Sequence, residues 1–130
     1  MLHVLIAEDE PLVREMFAQY LTRAGYRVTQ ADDGAHGLAL IEDDPADIII
    51  TDFKMPRMNG ADFLRAARAR RPGTPAVVIS AFGHEVGRLE SLGDGETRFC
   101  GKPVSPKVLC HTVEELLSRR FGPAAVPDCR

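Results

Sequence analysis

Short apolar runs alternate along this chain with longer stretches in which apolar residues recur every three or four positions, and the alternation repeats five times. Leu2 to Ala7 is almost continuously apolar, as a strand covered on both faces should be, and it ends at Glu8-Asp9-Glu10. Pro11 suits a first helical position, and Leu12, Val13, Met16, Phe17, Tyr20, Leu21 and Ala24 follow at helical spacing until Gly25 stops them. Tyr26 to Ala31 alternates, which predicts an edge strand wetted on one side. A second helix is predicted from about Gly34 to Asp43, with Asp32 or Asp33 as its cap and Asp44-Pro45 as its end.

The third run, Ile48-Ile49-Ile50-Thr51-Asp52, is β-branched and stops at a carboxylate, after which Pro56 and Gly60 bound a loop. Asn59, with Asp62 three residues on, can cap a third helix whose apolar side is Phe63, Leu64, Ala66 and Ala67. Arg65, Arg68, Arg70 and Arg71 gather towards its end and read as a solvated helix face, with a phosphate-backbone contact as the alternative. Ala76 to Ile79 is the fourth strand and stops at Ser80. His84 to Leu92 makes a weak fourth helix, because Gly87 costs about 1 kcal/mol relative to alanine and no strong stripe compensates. Thr97 to Cys100 is a brief fifth strand leading to Gly101-Lys102-Pro103. Ser105-Pro106 then opens the last helix, striped by Val108, Leu109, Val113, Leu116 and Leu117 and closed by Gly122-Pro123. Five such repeats predict an α/β fold, a five-stranded parallel sheet in the order 2-1-3-4-5 with helices on both faces.

Composition narrows the class without naming a chemistry. With 130 residues the chain is long enough for one domain with a full core. A net charge of -3 offers no broad attraction to nucleic acid or to an anionic membrane, so neither is expected as a partner. No apolar run reaches the length of a membrane span and the start lacks a basic leader region, which points to a cytoplasmic protein. Cys100, Cys110 and Cys129 are odd in number and show no C-x-x-C spacing, so they are expected to be ordinary thiols. The four histidines show no ligand spacing. The tail from Ala124 to Arg130 has too little apolar content to pack strongly and is expected to be loose.

In the predicted strand order, strands one, three, four and five are neighbours, and their carboxyl ends carry Glu8-Asp9, Asp52, Ser80 and Lys102. Ligands of open α/β sheets bind at that rim, where the strand order reverses. Acids this close raise one another's pKa and call for a cation; an all-oxygen site suits Mg²⁺, with Asp9 and Asp52 as direct ligands. Asp is a recognised phosphoryl nucleophile, and Lys102 and Ser80 can hold the phosphoryl oxygens opposite the metal. Singly, each residue has a bland alternative as an exposed lysine, a turn serine or helix-capping acids; the four strand ends together carry the signal.

Those residues resemble the receiver domain of two-component response regulators. The resemblance rests on Glu8-Asp9-Glu10-Pro11, on Asp52-Phe53-Lys54-Met55-Pro56-Arg57-Met58-Asn59-Gly60, on Ser80-Ala81-Phe82-Gly83 and on Lys102-Pro103. It covers nearly the whole chain, giving a receiver domain over residues 1–122 and a loose tail over 123–130. It implies that Asp52 accepts a phosphoryl group from a phosphohistidine on a histidine kinase or phosphotransfer protein. Mg²⁺ is then held by Glu8 through water, Asp9, Asp52 and the Lys54 carbonyl, with Lys102 on the phosphoryl group and a cis Lys102-Pro103 bond. Phe99 matches the switch aromatic that turns inward when the Ser80 hydroxyl moves onto a phosphoryl oxygen, so the fourth helix, fifth strand and last helix form the implied face for a downstream protein. Ser91-Leu92-Gly93-Asp94-Gly95-Glu96 departs from the family by being glycine-rich where a more regular helix end is usual. Lys54 and Phe82 occupy variable positions flanking the site and are expected to help set the phosphoryl lifetime.

Three other readings remain open on the residues. One is an Asp-nucleophile phosphatase of the haloacid dehalogenase type, although that class wants an acid two residues after the nucleophile and position 54 is Lys. The second is a receiver-like binding module that is never phosphorylated. The third is a receiver cut from a longer multidomain regulator. The phosphoacceptor reading describes a signalling domain with Mg²⁺-dependent self-phosphorylation and autodephosphorylation rather than an enzyme acting on a foreign substrate.

Overall fold

The apolar runs become strands of one sheet, and the periodic stretches become helices that cover it. In the computed structural model, which describes residues 1–81 and 92–129, the strands are β1 (His3–Ala7), β2 (Arg27–Ala31), β3 (Ile48–Asp52), β4 (Ala76–Ser80) and β5 (Thr97–Gly101). The helices are α1 (Pro11–Ala24), α2 (Gly34–Asp43), α3 (Gly60–Arg70) and α4 (Pro106–Phe121), the last of the sequence reading, followed by a 3₁₀ turn at Pro123–Ala125. All strand pairs are parallel and their order is β2-β1-β3-β4-β5, as the alternation predicts. The weak fourth helix expected at His84 to Leu92 lies outside the described residues apart from Leu92 itself, as does Phe82.

Near-continuous apolar runs are needed because the sheet is buried on both faces. Successive side chains point to opposite sides, so Val4, Ile6, Ile48, Ile50, Val77 and Ile79 pack under Phe17 and Leu21 of α1 and Leu109, Val113 and Leu116 of α4. Leu5, Ala7, Ile49, Ala76 and Val78 face the other way, against Phe63, Leu64 and Ala67 of α3 and Leu38 and Ile41 of α2. Each large side chain so buried contributes roughly 1.5–3 kcal/mol. β2 is the partly exposed edge its alternation predicts. The caps also form as read, with Asp33 accepting from the His36 amide, Asn59 from Asp62 and Ser105 from Val108.

Several expectations are corrected. Leu12, placed in the core stripe of α1, is 87% exposed, because the inward stripe runs through Val13, Phe17, Ala18 and Leu21 and leaves Leu12 outside it. Arg68 does not belong to a solvated face. It is fully buried, its guanidinium donating to the carbonyls of Thr74, Leu92 and Glu96 and to the Thr97 hydroxyl at 2.7–3.2 Å. Burial pushes this guanidinium down to about 10, the charge of Asp94 partly countering. The glycine-rich stretch now has a cause. A Cβ on Gly93 would fall 2.9 Å from Arg68 Cβ, and one on Gly95 would fall 2.8 Å from Arg68 Nε, so the chain folds over this buried arginine only without side chains there.

The cysteines and the tail are corrected together. Cys110 of α4 and Cys129 form a disulfide with their Cα atoms 6.0 Å apart, and Cys100 is the remaining free thiol. Spacing rules recognise local motifs, whereas this pair is assembled when the chain turns back after Gly122. The returning residues are held rather than loose. Val126 and Cys129 pack on the α1/α4 core, Pro127 lies against Gly25, and the Cys129 amide donates to Glu114 at 2.9 Å.

Candidate functional site

The parallel order brings the carboxyl ends of β1, β3, β4 and β5 to one rim, and main-chain hydrogen bonds fix each arm just beyond its strand. The Phe53 amide donates to the Ile79 carbonyl at 2.8 Å and the Lys102 amide to the Ser80 carbonyl at 2.9 Å, so the residues following β3 and β5 are both tied to β4. On the β1 side the Glu8 amide donates to the Ala31 carbonyl at 3.1 Å, and the Arg14 guanidinium holds the Glu8 carbonyl at 2.8 Å. Gly60 closes the loop after β3 by donating to the Phe53 carbonyl; a Cβ there would sit 2.2 Å from the Asp52 carbonyl oxygen, so any side chain would push the Asp52 backbone aside.

Within this frame Asp52 is nearly buried and both of its carboxylate oxygens are engaged. Oδ1 accepts from the Phe53 amide at 2.9 Å and Oδ2 from Lys102 Nζ at 2.9 Å. Burial alone would pull Lys102 down, but the Asp52 carboxylate, with Glu8 and Glu10 beyond it, outweighs that and holds the ammonium above its ordinary value. Around the same carboxylate, ligand oxygens of Glu8, Asp9 and Asp52 all lie within 4.8 Å of one another, Asp9 being exposed and the other two buried. Burial first, and then the Asp52 charge, push Glu8 up to about 8. Its Oε2 is buried with no hydrogen-bond partner among the described residues. An orphaned buried carboxylate oxygen among two further acids is what a hard divalent cation satisfies, so the donor set fits Mg²⁺.

A cleft of about 160 Å³ opens over this group, lined by Asp9, Asp52, Lys54, Ser80, Ala81 and Lys102 among others. A larger one of about 550 Å³ lies at the other end of the sheet beside Pro45, Ala46 and Thr74, away from every strand-end acid. Ser80 is buried at the end of β4. Lys54 is exposed on the loop after Asp52, and Phe99 on β5 is 46% exposed. The Lys102-Pro103 bond is cis, as the resemblance implies. The structure thus brings Glu8, Asp9, Asp52, Ser80 and Lys102 to one rim and leaves Phe99 on the neighbouring strand facing outward. Sequence reasoning missed Arg14, which carries no motif, because its hydrogen bond to Glu8 exists only once α1 packs back beside the β1 turn.

Against this geometry, comparison with known proteins is decisive. The family model described as the response regulator receiver domain matches residues 4–114. The chain belongs to this family. Among solved structures, the receiver is similar to the chemotaxis response regulator CheY4 of Vibrio cholerae, with a TM-score of 0.81 and 32% identity over 90% of this chain and 99% of that one. It is also similar to the response regulator TrrA of Thermotoga maritima, solved in complex with Mg(2+)-BeF, with a TM-score of 0.76 and 25% identity over 90% of this chain and 100% of that one. Among curated proteins it is 31% identical over 115 residues to the uncharacterized transcriptional regulatory protein YcbL of Bacillus subtilis, covering 88% of this chain and 50% of that one. The receiver spans between 26% and 55% of the length of the curated relatives it matches. Because those relatives include proteins named as transcriptional regulators, the expectation of no nucleic-acid contact finds no support. No helix among the described residues is long and apolar enough to cross a membrane.

Proposed function

We propose that Asp52 is the phosphoacceptor of this receiver, taking a phosphoryl group from a phosphohistidine on a histidine kinase or histidine phosphotransfer protein. The observation that carries this reading is the Lys102 ammonium 2.9 Å from Asp52 Oδ2, on a carboxylate that also belongs to the Glu8-Asp9-Asp52 acid cluster. Mg²⁺ would be held by Asp9, Asp52, the Lys54 carbonyl and, through water, Glu8, and when bound it supplies neutralising charge for the phosphoryl oxygens. Asp52 attacks phosphorus through a carboxylate oxygen, the P–N bond breaks as the P–O bond forms, and the imidazole leaves with its electron pair. Lys102 follows the charge onto the incoming phosphoryl group, while the tie between Phe53 and Ile79 keeps Asp52 in place.

The same geometry supports switching. A phosphoryl oxygen on Asp52 would offer the Ser80 hydroxyl, on the adjacent strand end, a charged acceptor to move onto, and its movement leaves room for Phe99 to turn inward. The exposed Phe99 is then the unphosphorylated setting, and the face built on β5 and α4 is the proposed contact for a downstream protein. Lys54 borders the cleft and is proposed to tune the lifetime of the acyl phosphate; unchanged hydrolysis in Lys54→Ala would remove that role.

Incubation with a small-molecule phosphodonor and Mg²⁺ tests the reading by intact mass. We expect one phosphoryl adduct, labile to hydroxylamine and absent from Asp52→Asn. An adduct that survives in Asp52→Asn refutes the assignment, no adduct in the native chain favours the binding module, and steady phosphate release from an added ester favours the phosphatase.

A further inference from the structure

Gly34 opens α2 and Gly37 lies within it, where glycine weakens a helix by roughly 1 kcal/mol relative to alanine. Both allow a close approach. A Cβ on Gly34 would fall 2.9 Å from Phe63 Cβ and 3.0 Å from the Met58 carbonyl oxygen, and one on Gly37 would fall 2.9 Å from Phe63 Cζ. The loop between β3 and α3 therefore lies directly on the first turn of α2. On this platform Arg57 adopts a left-handed backbone, φ 70, which L side chains disfavour. Its guanidinium is ion-paired with Asp33 and lies 3.9 Å from Asp32. The Asp33 side chain is 1% exposed, and its two oxygens divide the work, Oδ1 capping α2 through the His36 amide at 2.8 Å and Oδ2 facing Arg57.

Arg57 lies three residues beyond Lys54, so its anchor is no more than about 11 Å along the chain from the carbonyl assigned to the cation. We propose that Arg57 is a positioning residue: paired with Asp33, it holds the β3–α3 loop in the arrangement that presents the Lys54 carbonyl to Mg²⁺, and so sets the affinity of the site. This rests on the reading of Glu8, Asp9 and Asp52 as a cation site. Affinity falls in proportion to the fraction of loop that is binding-competent, and the Arg57–Asp33 pair raises that fraction. The Arg57 side chain is 69% exposed, which keeps the effect modest.

Calorimetric titration of the full chain with Mg²⁺ alone tests this, using Arg57→Gly, Asp33→Asn and the double variant. Glycine relieves the left-handed backbone, so if conformation were all that mattered Arg57→Gly would bind as well as the native chain. Asparagine keeps an oxygen for the α2 cap and removes the charge. We expect each single variant to raise Kd by about two- to fivefold, and the double variant to bind no more weakly than the weaker single one. Arg57→Gly thus costs affinity only where Asp33 is present, whereas a merely structural role would lower the urea midpoint in both backgrounds and leave Kd unchanged. Single variants that bind like the native chain, or penalties that add in the double variant, overturn the proposal. A native chain that binds no Mg²⁺ overturns the cation site first.

Discussion

Glu8→Gln offers a sharp test of the acid cluster, because the carboxyl of Glu8 is nearly buried and its pKa is pushed from an ordinary 4.5 up to about 8, first by burial and then by Asp52. Between those values the unfolded chain has released the proton and the folded chain still holds it, so stability without metal falls as pH rises through this window. The gap at 1.36 kcal/mol per pH unit sets a ceiling of about 5 kcal/mol, and relaxation around an acid at the sheet rim brings the expected loss to about 2–4 kcal/mol. Glutamine fills the same space, does not titrate, and can donate to the neighbouring carboxylates. Urea denaturation followed by far-UV circular dichroism, in EDTA from pH 5 to 8.5, should show the native chain losing stability towards high pH and Glu8→Gln losing about 2–4 kcal/mol less. Groups away from the rim titrate alike in both proteins, so the difference between the curves reports Glu8 together with its interaction with Asp52 and Lys102. Saturating Mg²⁺ should reverse the order at pH 8, because a cation that binds only the folded state stabilises the chain that keeps its third acid. Parallel pH profiles for the two proteins in EDTA would show that Glu8 is ionised throughout and that the burial reasoning is wrong.

The rest of the molecule yields further tests. Reducing Cys110–Cys129, which are 19 residues apart, should cost roughly 3 kcal/mol in urea, and the denatured oxidised chain should titrate as one free thiol against three after reduction. Arg68→Met should destabilise by about 3 kcal/mol or more, since it strips donors from the Thr74, Leu92 and Glu96 carbonyls, and amide exchange should quicken across 92–97; unchanged exchange there would deny the arginine its clamping role. Tyr26→Phe should be neutral or stabilising by about 1 kcal/mol, because the Tyr26 hydroxyl is buried with no partner among the described residues. Burial and Glu114 also push that hydroxyl up to about 12, so the native chain should lose stability between pH 10 and 12 and Tyr26→Phe should lose less.

The strand ends were legible because two requirements met at them. A run buried on both faces has to be apolar, so Asp52, Ser80 and the Glu8-Asp9 pair stand out as polar residues where such a run stops, and short parallel crossovers leave few orders in which five strands can lie. Caps at Asp33, Asn59 and Ser105 were legible for the same kind of reason, being contacts within four residues. Leu12 was misplaced by the same periodicity that found α1, since spacing groups apolar residues into a stripe but does not mark which of its edges the core reaches.

What the sequence determined by itself, then, was the alternation of strand and helix and the polar residue at each strand's end, because both follow from periodicities and neighbours along the chain. Packing alone decided that Arg68 lies inside while Arg65 and Arg70 reach solvent, that Cys110 finds Cys129, that Arg14 and Arg57 brace the loops around the acids, and that burial beside Asp52 pushes the Glu8 carboxyl up. Each depends on which distant segments meet and on how much water remains between them, and neither quantity is carried by a residue's immediate neighbours in sequence.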